Sequence, residues 1–288
     1  MTLDMTPGVG PEPALAVVEA AGVGKVFGTG STAVTALESI DLTIRQGEFV
    51  SLIGPSGCGK STLLRLIGDL TGPTTGSVRI NGKPAARARL DRDYGMVFQA
   101  PVLMDWRTIA KNIELPLEIM GFAADERGRR ASDLLRLVEL EAFAERHPWE
   151  LSGGMQQRVA IARALSFDPK LLLMDEPFGA LDEMTRERMN TELMNIWQRT
   201  GTTIVFVTHS IPEAVFLSTR VVVMSARPGR ISRVVEIDLP AARSVETRES
   251  ARYFELVTRV REALRLNEPS DEGVGPTAAE RIRAEGLA

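Results

Sequence analysis

Residues 54–61 read GPSGCGKS, a glycine-rich run whose spacing suits the binding of a nucleoside triphosphate. The glycines allow a tight turn whose N–H groups point at phosphate oxygens. Lys60 can then reach the β- and γ-phosphates, and the Ser61 hydroxyl can bind Mg²⁺. This motif requires a strand before it and a helix after it, and the patterns of residues 49–53 and 62–67 meet that requirement. The sequence therefore predicts a phosphate loop.

Two carboxylates follow one another in the run LLLMDE, residues 171–176. In a protein with a phosphate loop, the first acid at the end of such a strand holds Mg²⁺ through water, which assigns Asp175. The neighbouring Glu176 can act as the general base that polarises an attacking water. Without a phosphate loop, an exposed strand end or a helix cap would be the default interpretation. The combination of the two motifs favours catalysis.

A second glycine-rich run, LSGGMQQR at residues 151–158, precedes an apolar helical pattern. Ser152 followed by two glycines is typical of a helix start. The first N–H groups of a helix lack partners within the helix, so such an end attracts anions. Taken alone, the run is also compatible with an ordinary junction between a loop and a helix.

The periodicity of apolar residues predicts the elements that position these motifs. The predicted strands are 16–22, 35–44, 48–54, 77–82, 94–99, 171–176, 202–210 and 220–226. The predicted helices are 62–67, 109–120, 131–143, 155–165, 183–199 and a charged amphipathic helix at 244–266. The helix at 183–199 lies between two strongly apolar strands, which indicates a βαβ unit and a parallel sheet.

The composition excludes several classes of protein. The 288 residues are 44% hydrophobic, enough for a sizeable core, and the net charge of −4 argues against a nucleic-acid coat. The single cysteine, Cys58, excludes an intrachain disulfide, and we interpret it as a small filler of the phosphate loop. No apolar run is long enough to span a bilayer, and the N-terminus lacks the pattern of a secretory signal. We therefore expect a soluble protein that reaches a membrane only through a partner.

Four runs together resemble the ATP-binding subunits of ABC transporters: GPSGCGKST, LSGGMQQR, LLLMDEPFGALD and VTHS. The resemblance covers about residues 14–235. It implies an α/β fold, namely a P-loop ABC nucleotide-binding domain with a RecA-like mixed-sheet core, an antiparallel β subdomain and an α-helical subdomain at about 99–165. This domain would span residues 14–240. It would follow a disordered N-terminus, 1–13, and precede a C-terminal helix and flexible tail, 241–288.

The resemblance also implies the functions of single residues. Glu176 and His209 would act in hydrolysis, with His209 as the switch histidine that senses the γ-phosphate. Mg²⁺ would be held by Ser61, Gln99 and Asp175. The residues that would contact ATP are Phe27, Gly54, Pro55, Ser56, Gly57, Cys58, Gly59, Lys60, Ser61, Thr62, Gln99, Ser152, Gly153, Gly154 and Asp182.

Some of these assignments rest on the resemblance alone. Gln99 would contact Mg²⁺ and the attacking water and report the nucleotide state to a permease. Asp182 would cross the interface between two cassettes, and residues 152–154 would cap the γ-phosphate of ATP bound to the opposite cassette. Phe27 would stack on adenine, the alternative being a core phenylalanine near a turn. Met155 replaces the glutamine of the usual signature, which is a mild departure.

A single cassette without a fused membrane span and the EPFGALD form of the acidic strand resemble importers. The runs APVLMDWRTIAKNI, 100–113, and SARPGRI, 225–231, are similar to the nitrate, sulfonate and taurine group. The cassette would close as a homodimer over two ATP and drive integral permease subunits, served indirectly by an extracytoplasmic solute-binding protein. It would lie at the cytoplasmic face of the inner (plasma) membrane, peripheral through the permease, and would bind no nucleic acid.

Other interpretations stay open at this point. The same group includes importers of pyrimidine-type precursors, and the cassette could serve an unrelated importer group. A soluble ABC ATPase that acts on nucleic acid or ribosomes would usually carry two cassettes or long coiled-coil insertions, and this chain shows neither. A regulatory cassette without hydrolysis conflicts with the presence of Glu176 and His209. The segment 104–106 would either receive a coupling helix of the permease or belong to the core.

Overall fold

The computed structural model describes residues 15–266. The expected disordered N-terminus, 1–13, and the tail from residue 267 lie outside the described residues. The strands are β1 Ala16–Phe27, β2 Val34–Arg45, β3 Phe49–Ile53, β4 Thr75–Ile80, β5 Lys83–Pro84, β6 Tyr94–Val97, β7 Leu171–Asp175, β8 Thr203–Val207, β9 Arg220–Met224 and β10 Ile231–Glu236. The α-helices are α1 Lys60–Ile67, α2 Ala85–Leu90, α3 Ile109–Ile119, α4 Ala124–Leu137, α5 Gly153–Leu165, α6 Glu183–Thr200, α7 Ile211–Leu217, α8 Val245–Glu249 and α9 Ala251–Arg265.

The larger sheet has the strand order β10-β9-β3-β8-β7-β6. Its strands from β9 to β6 are parallel, whereas β10 pairs with β9 in the antiparallel sense, so the sheet is mixed. Every residue of β3 and β8 is buried, which explains why these strands read as continuous apolar runs. The predicted βαβ unit is confirmed, because β7 and β8 are parallel neighbours joined through α6.

Apolar residues cover both faces of this sheet. Along β3, Phe49 and Ile53 belong to one buried cluster, and Val50 and Leu52 belong to the other, as the alternation of side chains in a strand requires. On the second face lie α1 and a smaller antiparallel sheet of order β2-β1-β4-β5. Because α1 is packed in that cluster, the helix that follows the phosphate loop is anchored on the central strands.

The helical part lies between β6 and β7 and contains α3, α4 and α5. The predicted helix at 131–143 was wrong in its boundaries, because α4 spans Ala124–Leu137. Asp125 and Glu126 favour an earlier start, since acidic residues stabilise the first turn of a helix. The helix ends before Glu139, which adopts a left-handed backbone with φ +57°. The apolar residues after Leu137 belong to the core. Their spacing continues the helical pattern, which explains the wrong predicted boundary.

The C-terminal part differs from the single predicted helix at 244–266. Two helices, α8 and α9, are separated at Ser250, whose hydroxyl accepts a hydrogen bond from the Tyr253 N–H at 3.2 Å. The structure also contains α2, α7, β5 and β10, which the sequence pattern did not predict. Within residues 15–266, no helix combines the length and the apolar character needed to cross a bilayer.

Candidate active site

Four neighbouring parallel strands bring the predicted catalytic features to one edge of the larger sheet. In spatial order these strands are β3, β8, β7 and β6. The residues that follow their carboxyl ends are the phosphate loop, His209, Glu176 and Gln99 respectively. Because parallel strands end on the same side, residues distant in the sequence meet there.

The phosphate loop, residues 54–61, turns directly into α1 through Gly59. Gly59 has φ +98°, a backbone conformation that side chains disfavour. A Cβ atom at Gly59 would also lie 2.6 Å from Leu37 Cδ2 and 3.1 Å from the Ala36 carbonyl oxygen. The turn therefore requires glycine for its conformation and for the close approach of β2.

Lys60 and Ser61 are held at the mouth of this loop. Lys60 is 6% exposed, and its ammonium donates to the carbonyls of Gly54 at 2.8 Å and Pro55 at 3.1 Å. The third proton of the ammonium points to Cys58 Sγ at 3.8 Å, a weak acceptor that a phosphate oxygen can replace. The Ser61 hydroxyl donates to Asp175 Oδ1 at 2.7 Å, which joins the loop to the end of β7.

The Ser61–Asp175 pair suits Mg²⁺. A hydroxyl and a carboxylate are the hard oxygen ligands that this ion prefers, and Mg²⁺ commonly takes its other ligands from substrate phosphates and water. Within residues 15–266, no group of three or more His, Cys, Asp or Glu side chains could hold a metal ion. The Ser61 hydroxyl and the Asp175 carboxylate fit an ion whose other ligands are phosphate and water oxygens.

Glu176 combines backbone strain with proximity to the histidine. It has φ +47°, a left-handed conformation that is uncommon for residues other than glycine, and its N–H donates to the Val207 carbonyl at 3.1 Å. Its carboxylate Oε2 lies 3.5 Å from Nδ1 of His209. Strained residues of this kind cluster at functional sites. The conformation directs the Glu176 side chain to the pocket beside the phosphate loop.

That pocket has a volume of about 350 Å³. Its wall consists of Ala36, Ser56, Gly57, Gly59, Lys60, Ser61, Thr62, Glu176 and His209. All but one of these residues were predicted from the sequence. Ala36 was missed because a single alanine in a strand has no chemical signal.

Gly54, Pro55, Cys58 and Asp175 belong to the phosphate loop or contact it, whereas Gln99 and Phe27 are predicted residues elsewhere that do not line the pocket. The Gln99 amide nitrogen lies 3.1 Å from the position that a Cβ atom of Gly179 would occupy, and Glu176 Oε2 lies 3.6 Å from the same position. Gln99 and Glu176 therefore both lie near Gly179. In the sequence, this glycine is marked only by its place in the run EPFGALD. Phe27 ends β1 with 45% exposure, and the Lys25 ammonium lies 5.0 Å from its ring centroid. This exposure contradicts the alternative of a core phenylalanine.

The signature end, Ser152, Gly153 and Gly154, lies apart from the pocket. Ser152 is the N-cap of α5, as predicted, and its hydroxyl accepts from the Met155 N–H at 3.4 Å. Ser152 and Gly153 are exposed. A Cβ atom at Gly153 would meet Leu181 only at the ordinary distance of 3.6 Å. Packing within this chain therefore does not require glycine at residue 153.

Asp182 lies beside the signature end and caps its own helix. Its carboxylate accepts from the Thr185 N–H at 3.0 Å at the start of α6. This hydrogen bond holds the pKa of Asp182 below its ordinary value. Thr185 also approaches Gly154, where a Cβ atom would lie 3.1 Å from the threonine methyl group. The signature end and Asp182 thus form a second cluster.

A tryptophan is presented on the surface of the helical part. Trp106 is 75% exposed, which contradicts a core position for this side chain. The loop that carries it is organised by Asn112, which is fully buried. The Asn112 amide donates to the carbonyls of Met104, Arg107 and Thr108 at 3.1, 3.1 and 3.0 Å. A buried amide with these partners holds the loop in one shape.

Comparisons with known proteins agree with this geometry. Residues 37–179 match the family model described as ABC transporter. The nitrate import ATP-binding protein NrtD of Synechocystis is 49% identical over 77% of this chain and 83% of that protein. The aliphatic sulfonates import ATP-binding protein SsuB of Bacillus cereus is 44% identical over 80% of this chain and 89% of that protein.

A solved structure is similar as well. The ATP-binding cassette MJ0796, a dimer in a post-hydrolysis state with ADP and phosphate, has a TM-score of 0.66 and 39% identity. The match covers 76% of this chain and 98% of that chain.

Proposed function

Since the chain belongs to the ABC transporter family as an ATP-hydrolysing cassette, we propose that it energises the import of a small solute of the nitrate, sulfonate or taurine kind. The proposed hydrolysis of ATP rests on one observation: Glu176, His209 and the phosphate loop line the same pocket. The class of solute is supported by relatives whose names give nitrate and aliphatic sulfonates as cargo. An importer of pyrimidine-type precursors is the alternative within the same group.

In the proposed reaction, the N–H groups of the phosphate loop and the Lys60 ammonium bind the phosphates of ATP. Ser61, Asp175 and Gln99 would hold Mg²⁺, and the ion would supply positive charge beside the phosphate oxygens. Glu176 accepts a proton from the water that attacks the γ-phosphorus, and the bond to the bridging oxygen of ADP breaks. His209 orients the Glu176 carboxylate from 3.5 Å and contacts the γ-phosphate.

The proposed active form is a head-to-tail homodimer. The signature end does not line the pocket of its own chain, and its residues Ser152 and Gly153 are exposed, so it is free to meet the phosphates bound to a second copy. The similar cassette, solved as a dimer with ADP and phosphate, supports a dimeric form. Two ATP molecules then favour the closed dimer because they bind it more tightly than the open form, and hydrolysis reverses that preference.

The proposed partners are integral permease subunits, and through them an extracytoplasmic solute-binding protein. The surface that we assign to the permease contains Trp106, because an exposed aromatic side chain on a rigid loop is suited to an interface. The cassette would then lie at the cytoplasmic face of the inner membrane, held there by the permease.

The first experiment compares Mg-ATP hydrolysis by the wild type and by Glu176→Gln. We expect turnover to fall about 10³-fold, since the amide cannot accept the proton of the water. In ATP, the variant should accumulate as a dimer in size-exclusion chromatography with light scattering. The control is Glu236→Gln, an exposed acid at the end of a strand remote from the pocket. Wild-type turnover in Glu176→Gln would refute the assignment of the base, and absence of hydrolysis in the wild type would refute the proposed function.

A further inference from the structure

The turn between β9 and β10, residues 225–230, contacts the carbonyl oxygens of the phosphate loop. We propose that this segment, the brace turn, fixes the shape of the phosphate loop and thereby sets its affinity for nucleotide, with Gly229 and Arg227 as positioning residues. The inference rests on the proposed function, because it takes residues 54–61 to be the phosphate-binding site.

Gly229 brings the backbone of the brace turn into direct contact with the loop. A Cβ atom at this position would lie 1.9 Å from the Cys58 carbonyl oxygen and 3.0 Å from that of Ala36. Both obstacles are backbone atoms, so neither can rotate away as a side chain would. Any larger residue at 229 must therefore move the phosphate loop, the brace turn or both.

Arg227 contacts the neighbouring peptide of the loop. Its Nε donates to the Gly57 carbonyl at 3.4 Å, and its Nη2 lies 2.9 Å from the position of a Gly57 Cβ atom. Gly57 has φ +74° and lines the nucleotide pocket. The exposed guanidinium therefore covers the loop where its backbone is least restricted, and it adds a positive charge near the phosphates.

The brace turn is itself anchored to β2. The Gly229 N–H donates to the Ala36 carbonyl at 3.0 Å, and the Glu38 N–H donates to the Gly229 carbonyl at 3.0 Å. A salt bridge of 2.8 Å joins Arg230 and Glu38. Ala36 forms part of the pocket wall. The brace turn therefore fixes the position of β2 relative to the phosphate loop, which forms another wall of the same pocket.

The test measures the affinity for Mg-ADP by isothermal titration calorimetry on the full chain. ADP reports on the phosphate loop without requiring two cassettes to close. The variants are Gly229→Ala, Arg227→Ala and Arg227→Lys. The control is Gly128→Ala in α4, where a Cβ atom would meet nothing within 4 Å. The thermal unfolding temperature of each protein without nucleotide is measured in parallel.

We expect Gly229→Ala to weaken Mg-ADP binding about tenfold or more, because a displacement of order 1 Å spoils the alignment of the loop. Arg227→Ala should weaken binding about two- to tenfold, the range for loss of one hydrogen bond. Arg227→Lys keeps the charge and should recover part of this loss. Gly128→Ala should bind as the wild type does, and Arg227→Ala should unfold at the wild-type temperature.

The outcomes separate this inference from the function on which it rests. A wild type that does not bind Mg-ADP would refute the proposed function itself. If the wild type binds and both folded variants, Gly229→Ala and Arg227→Ala, bind equally tightly, the brace turn has no influence on affinity and the inference is wrong. If Gly229→Ala does not fold, the test rests on Arg227→Ala, whose substitution is at an exposed side chain. Wild-type affinity of Arg227→Ala for Mg-ADP would then mean that the brace turn is purely structural and that the inference is wrong.

Discussion

The two glycine-rich runs of this chain, 54–61 and 151–158, lie in contrasting surroundings. The first is enclosed by its own chain, with Asp175, Glu176 and His209 brought to it by neighbouring strands. The second forms the exposed start of α5, and the nearby carboxylate of Asp182 is engaged in capping α6. The comparison shows that a glycine-rich helix start can be part of a complete pocket, as at 54–61, or part of an open surface, as at 151–158.

The contrast has a physical consequence for assembly. An exposed helix start retains unpaired N–H groups and a partial positive charge, so it attracts an anion. Because the surface around it is open, another molecule must hold that anion in place. In the proposed homodimer, the second copy supplies that anion, already bound to its phosphate loop. The first region should therefore act within one chain and the second only between chains.

The largest expected effect comes from disabling each region separately. Lys60→Gln removes the cation of the phosphate loop. Gly153→Asp places a negative charge where the γ-phosphate of the other copy would approach. We expect each variant alone to lose at least about 10²-fold in ATPase activity, since both act on the charge of the transferred phosphate. A 1:1 mixture should recover about a quarter of the wild-type rate, because half of the dimers are mixed and each contains one complete site.

Stability has to be controlled in this mixing experiment. An acid in the first turn of a helix is favourable, and the Cβ atom at Gly153 has room, so Gly153→Asp should fold normally. Ala124→Asp puts the same charge at the first residue of α4, where it is exposed, and should leave the ATPase activity unchanged. If the mixture stays inactive although mixed dimers form, the two regions do not complement one another between chains.

The next effect concerns adenine binding within one chain. Phe27→Ala should weaken Mg-ADP binding about 5- to 150-fold, the range for loss of one base-stacking aromatic ring, with little change in kcat at saturation. Gly153→Asp should leave Mg-ADP binding unchanged in the same titration. Phe254→Ala removes another exposed ring, on α9, and is the control. Unchanged binding in Phe27→Ala would show that this ring does not stack on the nucleotide.

A smaller effect separates the two functions of Asp182. Asp182→Asn can still cap α6, because asparagine is as good an N-cap as aspartate, whereas Asp182→Ala cannot. We expect only the alanine variant to unfold at a lower temperature. Both should lose ATPase activity on the order of tenfold, as for one charge-assisted hydrogen bond across an interface. If Asp182→Asn keeps full activity, the carboxylate acts only as a helix cap.

The smallest expected effect concerns Glu213, a buried acid of α7. This buried acid accepts a hydrogen bond from Thr208. The positive charges of Arg186 and His209, and Asn190, also act to lower its pKa. Burial raises the pKa of Glu213 from the ordinary value of 4.5, against the opposing hydrogen bond from Thr208. The stability that this group contributes is therefore present below about pH 4.5 and is lost as the pH rises through the raised pKa.

Glu213→Gln removes that loss, because the amide stays neutral. The unfolding temperature of the variant relative to the wild type should therefore be higher at pH 8 than at pH 5, by a few degrees. Glu236→Gln, at an exposed site, should show the same difference at both pH values. A difference for Glu213→Gln that does not change with pH would contradict the ionisation of a buried carboxylate.

The phosphate loop and the signature end could be predicted because each is a contiguous run with a local cause. Glycines permit the turn at 54–61, and the serine at 152 caps the helix that follows it, whatever the rest of the chain does. The buried strands were equally plain, since parallel strands covered on both faces must be continuously apolar. A predicted helix boundary was wrong where core residues outside the helix continued its apolar pattern, as they did after α4.

The sequence by itself determined which residues can bind phosphate, accept a proton and start a helix, because those properties belong to side chains and short backbone segments. Only the tertiary structure decided which of them meet. The pairing of Ser61 with Asp175 spans 114 residues, and it follows from the strand order β3-β8-β7. The contact of Gly229 with the phosphate loop likewise depends on where β9 and β2 are packed. Contacts of this kind have no local pattern, since they are produced by the burial of strands that are far apart in the chain.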